Sequence, residues 1–253
     1  MDDTVILEAR KLRKAFGGLV AVNDVDLQIR AGTFHSIIGP NGAGKTTLFN
    51  LLSRTLDPTS GHVFFKGRAI TRLPVQKIAH LGIGRSFQIN NIFPSLTTFE
   101  NIRLACQALG HDNFKMLNRT SDFKAYEEKT RQVIHQVGLD ERALTLARNL
   151  PHGDQRKLEL GMILAEDPNV LLLDEPTAGM AAEQVPEFIA LIQQVQRDGN
   201  KTIVLVEHNM GVVMNASEVI TVMHQGAILA EGTPSAIAAN ATVQSAYLGG
   251  MQW

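Results

Sequence analysis

Cysteine is almost missing from this chain: Cys106 stands alone among 253 residues, so no disulfide can form within it, and no Cys/His spacing suggests zinc. A reducing compartment is expected. Excess charge is missing too, since 24 Lys and Arg meet 25 Asp and Glu for a net charge of −1, which gives no overall pull toward nucleic acid or an anionic bilayer. No nucleic-acid partner is therefore expected. Nowhere does an apolar run approach the roughly 20 residues of a membrane-crossing helix, and the acidic start Met1-Asp2-Asp3-Thr4 leads into no apolar signal-type stretch. The expectation is a soluble, unexported chain that reaches a membrane only through a partner. Repeats and low-complexity tracts are absent, while 44% hydrophobic residues suffice for a real core, in one large α/β domain or one with a sizeable insertion.

What is present is concentrated in Gly39-Pro40-Asn41-Gly42-Ala43-Gly44-Lys45-Thr46-Thr47. Its three glycines let successive backbone N–H groups curl toward one point, Lys45 adds a mobile cation, and Thr46 offers a hydroxyl to a metal ion. The pattern GxxxxGK[ST] arises by accident in only about one chain in a hundred of this size, so chance is a weak explanation, and the flanks sharpen the reading further. Thr33 to Ile38 reads as a strand and Thr47 to Leu52 as a helix. A strand, a glycine-rich loop and a helix N-terminus together make a cradle for the phosphates of a Mg-nucleotide.

Around this loop the pattern is α/β. Val5–Glu8 and Val20–Ile29 read as strands, with Val25, Leu27 and Ile29 alternating against Asp24, Asp26 and Gln28, and Lys14 to Gly18 reads as a turn between them. His62 to Gly67 reads as a short strand, Leu73 to Leu81 as a helix with Pro74 in its first turn, and Gly82 to Gln88 as a strand. Helical stretches follow at Thr97–Leu109, Phe123–Val137 and Gln155–Ala165, which makes 95–166 an inserted helical subdomain within a core formed by 1–94 and 167–253. Val170 to Asp174 is a continuous apolar run typical of a strand buried on both faces. The helix Ala182–Asp198 and the strand Lys201–His208 after it form a crossover. A hairpin around Gln225-Gly226 and short terminal helices from Pro234 to Leu248 complete the reading.

Asp174 and Glu175 end a buried strand, where ligands bind in open parallel sheets. One carboxylate can hold Mg²⁺ and the next can polarise an attacking water. By themselves they read as a solvated strand end; beside a phosphate loop they read as chemistry. His208 ends the neighbouring strand and is expected at the same edge, sensing the γ-phosphate and orienting Glu175. Gln88, after its own strand, is read as a metal and water ligand. Leu150-Pro151-His152-Gly153-Asp154-Gln155-Arg156 is either an ordinary Pro/Gly helix start or a second anion site.

In this order, the phosphate loop, Gln88, the helical insertion, the Gly-containing helix start, the Asp-Glu strand end and the strand-end His resemble the ATP-binding subunits of ABC transporters over nearly the whole chain. Phe16-Gly17-Gly18-Leu19-Val20-Ala21-Val22, Arg85-Ser86-Phe87-Gln88, Glu175-Pro176-Thr177-Ala178-Gly179-Met180 and Ala230-Glu231-Gly232-Thr233-Pro234 are similar to the branched-chain amino acid importer ATPases. The resemblance implies a P-loop ABC-type ATPase with a RecA-like parallel-sheet core, an antiparallel β subdomain and the helical insertion. It implies ATP and Mg²⁺ as cofactors, with Thr46, Gln88 and Asp174 at the metal and Lys45, Glu175 and His208 in catalysis. Each nucleotide would lie between Gly39–Thr47 of one subunit and His152, Gly153, Asp154 and Gln155 of a second, identical or paralogous, arranged head to tail. Phe16 would stack on adenine with Val22 against the same base, and Gln88 would couple the metal to the helical subdomain.

The surface near Ile92 to Thr98 would receive a membrane permease subunit on the inner face of the membrane, with a substrate-binding protein engaged indirectly. Two departures stand out: Pro151 replaces the usual Ser, removing a hydroxyl from the opposite γ-phosphate, and Ala181 replaces an acidic or amide residue that links the two sites. Leucine, isoleucine and valine are the first substrates implied, with urea, amides or other amino acids behind them. Lipid or lipopolysaccharide export and non-transport roles are alternatives. Against a non-transport role, the chain has neither a second ATPase half nor a coiled-coil or basic extension.

Overall fold

Alternating and continuous burial sort the strands into two sheets in the computed structural model, which describes residues 4–86, 92–108 and 120–248. β1 (Val5–Phe16) and β2 (Leu19–Arg30) form a hairpin, and β3 (Phe34–Ile38) leads into the phosphate loop and α1 (Lys45–Leu52). β4 (Ser60–Phe65) and β5 (Arg68–Ala69) return to that hairpin, giving an antiparallel sheet in the order β2-β1-β4-β5. α2 (Val75–Leu81) and β6 (Ile83–Arg85) precede α3 (Thr98–Ala108), α4 (Thr120–Gln136) and α5 (His152–Leu164). The crossover β7 (Val170–Asp174), α6 (Val185–Gly199), β8 (Thr202–Val206) follows. Then come α7 (Met210–Ala216), the hairpin β9 (Val219–His224) and β10 (Ala227–Gly232), α8 (Pro234–Ala238) and α9 (Ala241–Leu248). The second sheet runs β10-β9-β3-β8-β7-β6, parallel except at β10.

The parallel strands are apolar because both of their faces are covered. Val170 and Leu172 of β7 point into a cluster with Leu48, Phe49, Leu7 and Val63, so that α1 is packed between the two sheets. Leu171 and Leu173 point the other way, into a cluster shared with Ile102, Val133, Leu158 and Ile192 of the helices. Each fully buried Leu or Ile here contributes about 1.5–3 kcal/mol relative to exposure. Thus, among the described residues, the helices from α3 to α5 share a core with the sheet face. A third cluster, with Ile38, Val213, Val222, Ile237 and Val243, anchors the C-terminal helices against β9.

Several boundaries differ from the sequence reading. β1 continues to Phe16 because Ala15 and Phe16 still pair with Val20 and Leu19, so the turn is only Gly17-Gly18. Pro74 is the N-cap of α2 in an extended conformation and not a residue of its first turn. α5 starts at His152, three residues early, with the extended Pro151 as its N-cap. α7 and β5 have no counterpart in the sequence reading. α7 is only seven residues long, and its one clear signal is Asn209, whose side chain accepts from Val212 N–H at 3.3 Å.

Candidate nucleotide site

The phosphate loop is shaped by backbone that only glycine tolerates. At Gly44, φ is +98° and a Cβ would lie 2.3 Å from the Ala21 carbonyl oxygen; at Gly39 a Cβ would lie 2.3 Å from that of Met223. The loop is braced from outside by the β9–β10 turn, where Gly226 N–H donates to Ala43 O at 3.0 Å and Asn23 N–H donates to Gly226 O at 2.8 Å. α1 starts at Lys45 with Gly44 as a cap that offers no side chain, leaving its first N–H groups directed at the loop's concave face. Thr46 is exposed there and Thr47 half-buried. Lys45 is buried and folds back, its Nζ donating to Gly39 O at 2.7 Å and Pro40 O at 3.1 Å. Burial draws its pKa below the ordinary lysine value, while Glu175 and Asp174 oppose that shift.

Asp174 is 4% exposed, and both its carboxylate oxygens are buried with no hydrogen-bond partner among the described residues. Burial raises its pKa above the usual carboxylate range; Arg85, Lys45 and His208 oppose this and Glu175 adds to it. Its N–H donates to Ser86 Oγ at 3.0 Å, which ties the end of β7 to the residue after β6. Such a carboxylate, desolvated and unpartnered at a strand end, is costly unless a cation completes it.

One residue on, Glu175 has φ +48°, a left-handed conformation that is uncommon outside glycine and that clusters at functional sites. The turn is held by its N–H, which donates to Val206 O at 2.8 Å. His208 Nε2 lies 3.0 Å from Glu175 Oε1, with the two side chains 41% and 36% exposed, open enough for water to reach. Parallel register produces this meeting: Asp174 pairs with Val206, so the two chains leave the sheet side by side.

A cavity of about 490 Å³ opens over the loop, lined by Gly39 to Ala43, Glu207, His208, Met210, His224, Gln225, Ala246 and Tyr247. Tyr247 and Ala246 come from α9, a terminal helix legible in the sequence whose place at the site is not. Glu207 also escaped the sequence reading, although a carboxylate directly before His208 on an apolar strand marked it. Arg85 and Ser86, which in the sequence belong to a family-like segment without a role of their own, brace the site from behind. Arg85 donates to Ser53 Oγ at 2.5 Å and Thr55 Oγ1 at 2.6 Å and lies 5.3 Å from the Phe49 ring centroid, fastening the end of β6 to α1.

Not every expected residue converges. Val22 is fully buried in the core between the sheets, which corrects the expectation that it packs against a base: it has no free surface to do so. Phe16, at the end of β1, is 49% exposed with Lys14 Nζ 5.1 Å from its ring centroid, a free aromatic face at the sheet corner. Gln88 lies outside the described residues. None of residues 151–155 lines the cavity over the loop. His152 is exposed, and its ring is close enough that a Cβ on Gly179 would lie 3.1 Å away; a Cβ on the buried Gly153 would meet Gln184 at 3.0 Å. Gln155 Nε2 turns inward to Leu150 O at 3.0 Å, and Asp154 lies 3.8 Å from Arg142 Nε.

These features have close counterparts among known proteins. The sequence matches the ABC transporter family over residues 22–178, and the family described as branched-chain amino acid ATP-binding cassette transporter over residues 227–251. The high-affinity branched-chain amino acid transport ATP-binding proteins LivG of Salmonella typhimurium and BraF of Pseudomonas aeruginosa are each 40% identical over 249 residues, covering 96% of this chain and 98% of theirs. The lipopolysaccharide export system ATP-binding protein LptB of Acidithiobacillus ferridurans is 30% identical over 244 residues, covering 96% of this chain and 97% of its own. A nucleotide-free ATP-binding cassette from an ABC transporter superposes with a TM-score of 0.83 at 25% identity, over 98% of this chain and 100% of that one. With the phosphate loop, the buried Asp174 and the Glu175–His208 pair on one sheet edge, this chain belongs to the ATP-binding proteins of ABC transporters, in their branched-chain amino acid branch.

Proposed function

We propose that this ATP-hydrolysing ABC subunit energises the import of branched-chain amino acids or closely related small solutes through separate membrane subunits. The observation that carries the hydrolytic reading is the 3.0 Å approach of His208 Nε2 to Glu175 Oε1 beside Asp174, whose carboxylate has no hydrogen-bond partner among the described residues. Glu175 takes a proton from the attacking water. His208 Nε2–H donates to Glu175 Oε1 and fixes the carboxylate's direction. The water oxygen bonds to the γ-phosphorus as the bond to the β–γ bridging oxygen breaks, leaving ADP and phosphate; Lys45, released from the carbonyls of Gly39 and Pro40, neutralises charge on the transferred group. The residues fit Mg²⁺: Thr46 and Asp174 would hold it together with Gln88, which lies beyond the described residues, and when bound it would supply charge neutralisation. Phe16 offers its free face to adenine.

The start of α5 packs on Gly179 and Gln184 of its own chain and lines no part of the cavity over the loop, while Pro151 and His152 are exposed. A head-to-tail dimer, with His152 to Gln155 completing a second subunit's site, uses this helix start. Transport needs further subunits, since among the described residues no helix is long and apolar enough to cross a membrane. Beside Ser86 and Arg85 lies an apolar groove of about 490 Å³, lined in part by Val75, Ile78, Phe93, Leu104, Met162 and Ile163. We assign it to a permease segment on the inner membrane face; residues 95–166 would shift against 1–94 and 167–253 when it is pulled. The solute is assigned from LivG and BraF, whose own names specify branched-chain amino acids.

Glu175→Gln tests the chemistry. It should leave ATP binding intact, reduce turnover by about a thousandfold and make ATP-bound dimers accumulate. Normal turnover in that variant would remove Glu175 from the mechanism. Uptake of labelled leucine in cells lacking the gene, against urea and short amides, tests the solute.

A further inference from the structure

We infer that Glu207 is a positioning residue for the hydrolytic pair, a buried carboxylate that fastens the chain leaving β7 to the chain leaving β8. The inference rests on Glu175 and His208 acting as proposed above. Glu207 is 5% exposed, and both its oxygens are in use. Oε1 accepts from Thr177 N–H at 3.2 Å and from the Thr177 hydroxyl; Oε2 accepts from His208 N–H at 3.0 Å and Asn209 N–H at 3.3 Å. Thr177 is two residues after Glu175, and is itself 8% exposed. The result is a closed ring: Glu175 leads through Pro176 to Thr177, Thr177 donates to Glu207, Glu207 leads to His208, and His208 returns to Glu175.

Chemistry restricts what can close that ring. All four groups that face Glu207 are donors, so the residue between them must accept at both ends. An ionised carboxylate does this; an amide that turns its NH₂ toward His208 and Asn209 loses both of those bonds, and one that turns it toward Thr177, whose hydroxyl can reverse and accept, still leaves the Thr177 N–H without its acceptor. Aspartate keeps the charge but is shorter by one methylene, and cannot span both loops. Without the ring, Glu175 keeps its backbone bond to Val206 O and His208 still follows β8, but the 3.0 Å distance between their side chains is no longer fixed from both sides. Loss of aim by an ångström or less is enough to slow a reaction held by orientation.

The test is steady-state ATP hydrolysis by the full chain, with nucleotide affinity and thermal melting measured on the same preparations. Glu207→Gln should lower kcat at least tenfold while ATP affinity stays within about twofold, and Thr177→Val, which removes one of the four bonds, should lower kcat about threefold. In a His208→Ala background, Glu207→Gln should cost nothing further, because the group it aims is gone. Should Glu207→Gln not melt cooperatively, the same cycle is run with Thr177→Val. Wild-type kcat in the folded variants, or an undiminished loss in the His208→Ala background, overturns the positioning role. If Glu175→Gln and His208→Ala both retain turnover, the hydrolytic reading fails instead; if they lose it while Glu207→Gln does not, only the present inference falls.

Discussion

Acid should destabilise this protein through one histidine remote from its chemistry. His35 sits in β3, 1% exposed, with Nε2 2.7 Å from Thr221 Oγ1. The Thr221 hydroxyl donates to Glu231 Oε2 at 2.7 Å, so its oxygen must accept from His35 Nε2–H, which fixes the neutral tautomer. Burial pushes the His35 pKa down from 6.5 to about 4. A depressed histidine binds its proton more readily in the unfolded chain, so the stability it permits is complete above pH 6.5 and falls as the pH drops toward 4. The loss is about 2 kcal/mol at pH 5 and levels near 3 kcal/mol below pH 4. His35→Gln removes the titration and keeps an N–H donor for Thr221. Urea unfolding followed by circular dichroism, at pH 7.5 and pH 5.0, should show the wild type losing about 2 kcal/mol more than the variant between the two conditions. The difference of differences cancels every other titrating group. Equal losses, or a larger loss in the variant, would refute the assignment of a neutral, buried His35.

Two further outcomes follow from the nucleotide site itself. Asp174→Asn removes a desolvated charge that has no partner among the described residues, so it should raise the stability of the nucleotide-free chain by about 1–2 kcal/mol while abolishing turnover; a lower melting temperature would contradict the cost assigned to that carboxylate. Gly44→Ala forces a Cβ to 2.3 Å from the Ala21 carbonyl at φ +98°, and should cost about 2–4 kcal/mol along with ATP binding, read by melting and by equilibrium nucleotide titration.

Much of this is legible in the sequence. The phosphate loop, the doubly buried strands β7 and β8 and the alternation of β2 are local patterns, set by neighbours within a few residues and by burial on one face or two. Their edges moved where tertiary pairing or caps overrode local signals, as at Phe16, Pro74 and His152. α7 was missed because seven residues with one cap give too short a period to detect.

Sequence by itself determined that the chain carries a nucleotide loop, an acidic strand end and a strand-end histidine, and in what order. Only the tertiary structure decided how they meet. β7 and β8 pair with Asp174 opposite Val206, a register set by packing over a distance of more than thirty residues, and that register brings Glu175 and His208 out of the sheet side by side, 3.0 Å apart. The same pairing places Glu207 where one carboxylate receives donors from both loops. Burial, likewise a property of the whole fold, turned Val22 from an expected base contact into core and left Asp174 without a partner among the described residues. Residue types fix which chemistry is possible; distances between strands adjacent in space but remote in sequence fix which of it is assembled.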